Sequence, residues 1–366
     1  MDLLGSVTSE SEISEPLKFL YERCVSMSNY VDEQNKTILI KTKKIVSELP
    51  DYVANYFSAR RSNTTAKTSL SYAYDIRNFY LWLQSSISDL KNTALKDISL
   101  ASISRLTARD IEEYIYYLQT ESDQINHAAG IERKLSALSA FFTYLYKQDL
   151  IPENPCVKVM KPKGVKDKRI IKMTPVEVRA FLNAIEHGHG SFSPHQEAYL
   201  AKTRVRDLAI CTLLLGTGIR VSECVGLDIK DVDFKNNRIK VIRKGGKIQN
   251  VPISDEVANA IAEYLLERNK IKVDTDALFL SSKKTRISVG AIENLVNKYA
   301  EAVGTSYRIT PHKLRKTYGT TLYEETGDIY LVASALGHEN INTTKEHYAQ
   351  QDERRLQEHR NTVKLR

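Results

Sequence analysis

Cysteine is scarce in this sequence. Cys24, Cys156, Cys211 and Cys224 are scattered over 366 residues and form no CxxC pair. That excludes a zinc ribbon or a disulfide framework as the organising device and fits a reducing compartment. Long apolar runs are missing too. The most apolar stretch, LAICTLLLG at 208–216, is too short to span a bilayer. No basic start followed by an apolar run marks a secretory leader; MDLLGSVTSESEISE reads as a loose polar N-terminus over 1–15. Glycine and proline are nearly absent from the first half, where only Pro50 and Gly130 occur between residues 17 and 150. Helix is the structure such a stretch leaves open.

What is present is charge of one sign in excess. Lys plus Arg is 53 and Asp plus Glu is 45, giving +8, with a pI near 9.0. A basic surplus favours a polyanionic partner, nucleic acid ahead of an anionic membrane. On charge alone a merely basic soluble protein fits equally. A hydrophobic fraction of 42% supports a packed core, and the length suits two domains.

The helical half runs from 16 to 150. In TAKTSLSYAYDIRNFYLWLQ, Leu70, Ile76, Phe79, Tyr80 and Leu83 recur at helical spacing. TARDIEEYIYYLQ opens with Thr107 and Asp110, a cap-like pair, and then offers Ile111, Ile115 and Leu118 to a core. ERKLSALSAFFTYLYKQ repeats the pattern with Leu135, Leu138, Phe141, Phe142 and Leu145. Together these predict a helical bundle. Composition changes at 151–173, where Pro152, Pro155 and Pro162 suppress helix. From Lys158 to Lys172 the basic residues Lys158, Lys161, Lys163, Lys166, Lys168, Arg169 and Lys172 face a single acid, Asp167. The stretch reads as an extended basic linker, either a solvated tether or a strand of cations lying along phosphates.

A second domain spans 174–351. Thr174, Pro175 and Glu177 form a capping box with proline at the first helical position. A helix follows over about 204–216. RIKVIR and IQNVPI alternate around KGGK, the signature of a β-hairpin. Helices are expected at about 255–270, 288–302, 311–325, 328–336 and 342–349, leaving 352–366 as a polar basic tail. The fold class is therefore mainly α with a small β-sheet: an N-terminal helical bundle and an α+β second domain.

Chemistry concentrates in that domain. GTGIRVSE places Arg220 after a glycine-containing helix end, with Glu223 one turn on as its possible ion partner. TPHKLRKTYGTTLY opens a helix at Thr310 and Pro311, with His312 and Arg315 three apart. The helix start favours an anion there. LGHENINTTKEHYAQ supplies His338 and Tyr348, and Lys244 and Lys247 flank Gly245-Gly246 at the hairpin tip. Taken singly, each has a bland reading: a surface ion pair, a helix-start histidine, a soluble hairpin tip. As a set they are the parts of a metal-free phosphodiester exchange. Arginine forks match phosphate oxygens, histidines hydrogen-bond or move a proton, and a tyrosine serves as nucleophile. His187, His189 and His195 in EHGHGSFSPH lie in a glycine-rich stretch that lacks the fixed fourth ligand a metal site needs.

TGIRVSE, RKGGK, TPHKLRKTYGTTLY and LGHENINTTKEHYAQ resemble, in order and spacing, the boxes of the tyrosine recombinase (phage integrase) family. The helical half, with LSYAYDIRNFYLWL and ERKLSALSAFFTYLYKQDLIPENP, is similar to that family's core-binding domain, and LPDYVANYF looks like its Xer branch. The resemblance implies a site-specific recombinase that cuts and rejoins DNA through a 3′-phosphotyrosine, without cofactor or metal. It implies roles residue by residue. Arg220, His312, Arg315 and His338 surround the scissile phosphate, and Glu223 orients Arg220. Lys244 is the general acid, with Lys247 as the second candidate. Tyr348 is the nucleophile, with His347 as a competitor because the His338-to-Tyr348 gap is one longer than in several Xer-type members. Lys316 stands where many members carry histidine. Lys161, Lys163, Lys166, Lys168 and Arg169 would line DNA. The implied partner is duplex DNA with paired sites, bound by a homotetramer, with a DNA translocase or a DNA-bending accessory protein as further candidates and no membrane. The implied place is the cytoplasm, at the nucleoid. Chromosome-dimer resolution and mobile-element integration both remain open. A type IB topoisomerase-like enzyme and an inert DNA-binding regulator are the alternatives.

Overall fold

The computed structural model describes residues 15–122, 126–160, 172–188, 194–304 and 307–338. The chain divides into two compact units. One is Ser28–Asp167; the other runs from Lys168 onward and includes Met1–Met27. The expected helix at 342–349 and the tail at 352–366 lie outside the described residues. Among the described residues no helix is long and apolar enough to cross a membrane.

The first unit is helical. α1 (Glu15–Val46) enters it from Ser28, followed by α2 (Asp51–Ala59), α3 (Ala66–Ser86), α4 (Leu100–Ser104), α5 (Ala108–Thr120) and α6 (Ala128–Lys147). α5 begins where the sequence places it. Thr107 and Asp110 form a capping box, with the Thr107 N–H donating to Asp110 Oδ2 at 2.7 Å, which satisfies donors that a helix start leaves open. Ile76, Phe79, Tyr80 and Leu83 of α3 are fully buried against Ile111 of α5 and Leu138, Phe141, Phe142 and Leu145 of α6; Leu70 sits at the margin, packed on Ile45, Val46 and Ala73. The core is aromatic. The rings of Phe79 and Tyr114 meet edge-on at 5.1 Å, and those of Tyr56 and Phe141 at 5.4 Å, a geometry that pairs ring edge with ring face. Asp75 places a buried carboxylate in this layer. Burial pushes its carboxyl up, and the cations Arg133 and Lys134 of α6 pull it back and tie α3 to α6.

The proline-bearing stretch after α6 differs from a plain tether. Ile151 and Val159 are buried in the helical core, with Cys156 packed against it. Asn154 satisfies backbone groups here, donating to the Ser139 carbonyl and accepting from the Cys156 N–H.

The second unit is built on α8 (Pro194–Thr217), flanked by α7 (Pro175–His187), α10 (Asp255–Arg268) and α12 (Pro311–Thr326). α8 starts earlier than its apolar run suggests. Ala209, Ile210, Cys211, Leu213 and Leu214 have no exposure, so helices cover this part on all sides and no polar face is needed. α9 (Val221–Gly226) leads into a three-stranded antiparallel sheet in the order β1 (Val232–Asp233), β2 (Arg238–Ile242), β3 (Ile248–Pro252). The hairpin register sets Val241 opposite Gln249 and Ile242 opposite Ile248. Gly245 and Gly246 close it at φ of +78° and +82°, a region that favours glycine. α11 (Val289–Ala302) and α13 (Ile329–Leu336) complete the unit. Thr174 and Glu177 cap α7 as a reciprocal box. At the linker's exit the Met173 N–H donates to Thr317 Oγ1 of α12 at 3.0 Å.

Candidate active site

Four side chains converge on the C-terminal end of one short helix. α13 ends in Gly337 at φ +61°, with the His338 N–H bonded to the Ala333 carbonyl and the Gly337 N–H to that of Ser334. This is a Schellman ending. The last carbonyls of a helix lack intrahelical donors and carry its negative dipole end. Here four successive carbonyls accept from side chains. Gln249 Nε2 donates to Ser334 at 3.2 Å and Arg243 Nη2 to Ala335 at 2.9 Å. Arg315 Nη2 donates to Leu336, and Arg220 Nη2 to Gly337 at 3.4 Å.

Each donor arrives from a different element. Arg220 is the N-cap residue of α9; its N–H donates to Glu223 Oε2 at 2.7 Å and its Nη1 to Glu223 Oε1 at 2.9 Å. The ion pair expected one turn on is therefore present, and it aims Arg220. Gly218 at φ +61° makes the turn ahead of it, where an added Cβ would run into the Tyr318 ring. Arg315 sits in the second turn of α12 and is 5% exposed, with Nη1 donating to the Gly218 carbonyl at 2.6 Å. His312, one turn earlier, is exposed. Thr310 caps the helix start, accepting from the Lys313 N–H. His338 is half-buried directly after the Schellman turn.

Arg243 and Gln249 were not anticipated from the sequence. Arg243 is 6% exposed and shares Glu223 with Arg220, its Nη1 lying 2.7 Å from Glu223 Oε2, while its Nε donates to Gln249 Oε1 at 2.9 Å. Burial lowers the Arg243 guanidinium below its usual value; Glu223 counters this, and the neighbouring Arg220 adds to it. A signal was available. Ile239 and Val241 are the inward residues of β2, and the period of two makes Arg243 the next inward position. An arginine in that phase has to find a buried partner.

Arg220, Arg243 and Arg315 meet at one helix end, where Glu223 pairs with the first two. Three guanidinium groups against that carboxylate leave a cationic surplus beside His338. A half-buried surplus of guanidinium groups is built to hold an oxyanion, because low local polarity strengthens the attraction. A brace lies behind it. Arg286 donates to the Val225 and Leu227 carbonyls at the end of α9 and pairs with buried Asp228. Burial pushes the Cys211 and Cys224 thiols up, which leaves them as neutral core groups.

The remaining sequence candidates fall elsewhere. Tyr348 and His347, and the linker cations Lys161, Lys163, Lys166, Lys168 and Arg169, lie outside the described residues. So does His189 of the 187–195 histidines. Lys244 follows Arg243 directly in the hairpin turn, and Lys247, at its far side, is exposed; the Lys247 carbonyl accepts from the Arg243 N–H at 2.7 Å.

Comparison with known proteins shows the family. The phage integrase family model matches residues 172–355. Tyrosine recombinase XerS of Streptococcus equi subsp. equi (strain 4047) is 32% identical, covering 84% of this chain and 94% of its own length. This chain belongs to the phage integrase, or tyrosine recombinase, family. XerS of Streptococcus agalactiae serotype III (strain NEM316) is 31% identical over 85% of this chain and 95% of its own. Among solved structures, XerH site-specific recombinase bound to palindromic difH substrate, a post-cleavage complex, aligns with a TM-score of 0.64 at 20% identity. That match covers 87% of this chain and 93% of XerH. The Tn1549 transposon integrase in complex with transposon right end DNA aligns at 0.62 and 22%, covering 84% and 98%. These two share the tyrosine recombinase fold. The chain is thus an enzyme of site-specific recombination, a tyrosine recombinase that cleaves and rejoins DNA, and topoisomerase or inert-regulator readings are not favoured.

Proposed function

We propose that Arg220, His312, Arg315 and His338 hold the scissile phosphate of a recombination site and that Tyr348 attacks it. The observation that carries this reading is the meeting of Arg220 and Arg315 at the carbonyls of Leu336 and Gly337, the two residues before His338. The phenol of Tyr348 gives its proton to one of the site histidines, His312 or His338, and its oxygen forms a bond to phosphorus while the bond to the 5′ oxygen breaks. The leaving oxygen takes a proton from Lys244, with Lys247 as the second candidate. The arginines stabilise the added negative charge of the pentacoordinate transition state. The 3′-phosphotyrosyl ester keeps the bond energy, so a 5′ hydroxyl from a second duplex displaces Tyr348 and rejoins the strand. Glu223 orients Arg220.

Duplex DNA with paired sites is the substrate and a homotetramer on two sites the working assembly. A DNA translocase or a DNA-bending protein is the class of accessory partner, and the nucleoid the place of action. The domains of this reading are a core-binding domain over 16–150, a basic linker over 151–173 whose Ile151, Cys156 and Val159 pack on the helical core and whose Lys161, Lys163, Lys166, Lys168 and Arg169 lie along phosphates, and a catalytic domain over 174–351. Likeness to XerS over most of the chain favours an Xer-type role in chromosome-dimer resolution above mobile-element integration. The fold itself does not separate them, since XerH and the Tn1549 integrase align almost equally well.

The test begins with selection of a bound site from random duplexes, followed by incubation with two labelled duplexes carrying it. Recombinant strands joining the two labels are expected. They should vanish in Tyr348→Phe, which should still bind the site. Changes in linking number without joined strands would contradict the reading.

A further inference from the structure

Arg243 stands behind the groups assigned to the phosphate, yet it holds three of the parts that position them. Its fork spans Glu223 Oε2 at 2.7 Å and the Ala335 carbonyl at 2.9 Å, and its Nε meets Gln249 Oε1 at 2.9 Å. Gln249 in turn donates to the Ser334 carbonyl at 3.2 Å. Gly337 lies close against this guanidinium: a Cβ built there would stand 2.7 Å from Arg243 Nε. The residue after Arg243 is Lys244, and the Arg243 N–H fixes the turn through the Lys247 carbonyl. One residue therefore joins the hairpin turn, the α9 carboxylate and the end of α13.

We infer that Arg243 is a positioning residue for strand cleavage, locking the Lys244 turn and the His338 segment to the Glu223–Arg220 pair, with Gln249 as its support. This rests on the recombinase reading above. Two physical effects follow from the contacts. By taking one oxygen of Glu223, Arg243 neutralises part of that carboxylate, so Arg220 keeps more of its charge for phosphate. By filling the Ala335 carbonyl, it fixes the helix end from which His338 departs. Lysine has no planar fork to serve these directions together.

The experiment measures single-turnover formation of the covalent adduct on a nicked duplex that traps it, using the full chain, together with duplex affinity and Tm. For Arg243→Met we expect a rate about 100-fold lower, the scale on which a small misplacement of reacting groups acts, with affinity within about threefold of wild type. Gln249→Leu alters a half-buried side chain at the sheet edge and should slow cleavage roughly fivefold without moving Tm. If Arg243→Met does not fold, Gln249→Leu decides: slower cleavage supports the inference and a wild-type rate overturns it. Folded Arg243→Met that cleaves within about threefold of wild type also overturns it. So does a slower rate that is fully matched by weaker duplex affinity. A wild-type chain that yields no adduct on its selected site overturns the recombinase reading itself, and this inference with it.

Discussion

At the scale of single residues, the site is set by groups whose neighbours leave them little choice. Gly337 carries a positive φ and lies against the Arg243 guanidinium, so both its backbone freedom and its lack of a side chain are used. Asp231, just behind α9, shows how burial is tolerated nearby. Its carboxyl is pushed up to about 6, by burial first and also by the charge of Asp228. The folded protein therefore holds a proton that the unfolded chain releases near pH 4. Stability contributed by that proton is lost as pH rises through the window from about 4 to about 6. Asp231→Asn should remove this dependence. The Tm of the variant minus that of wild type is expected to rise by several degrees between about pH 4 and pH 7 and then level. A difference that stays flat across the window would contradict the assignment.

At the scale of elements, the end of α13 organises the site because a short helix presents unsatisfied carbonyls together. Arg220, Arg243, Arg315 and Gln249 come from a helix cap, a strand end, a helix turn and the facing strand. α9 must hold its place for this to work, and Arg286 grips its C-terminal carbonyls while pairing with Asp228. Arg286→Met leaves the buried Asp228 carboxylate without that cation and should cost about 3 kcal/mol in urea unfolding. A destabilisation below about 0.5 kcal/mol would show that α9 is held by packing alone.

Local signals were legible in the sequence, and distant pairings were not. The capping boxes at Thr107–Asp110 and Thr174–Glu177 involve residues three apart, so their chemistry is complete within one turn. The hairpin and the α3, α5 and α6 core faces follow in the same way from periodicity. Arg243 is different: its partners Glu223 and Ala335 come from separate elements. Only its inward phase on β2 hinted at a buried role. At 151–160 the prolines spoke for a linker while Ile151 and Val159 carried the opposing signal, and burial of those two side chains decided the packing.

At the scale of the whole molecule, the surplus of +8 suits a protein that binds duplex DNA through phosphates. Binding should weaken steeply with salt, each neutralised phosphate adding about −0.9 to the slope of log K against log salt. Replacing Lys161, Lys163, Lys166, Lys168 and Arg169 together by glutamine should flatten that slope by roughly one for every phosphate no longer neutralised, while leaving site preference unchanged. An unaltered slope would remove the linker from the DNA path. The most direct measurement is the identity of the residue that carries DNA. The adduct trapped on a nicked site would be digested with protease and nuclease and sequenced by mass spectrometry. A 3′-phosphonucleotide on Tyr348 is the expected result. The same group on His347 or on any other side chain, or a linkage through a 5′ phosphate, would contradict the account.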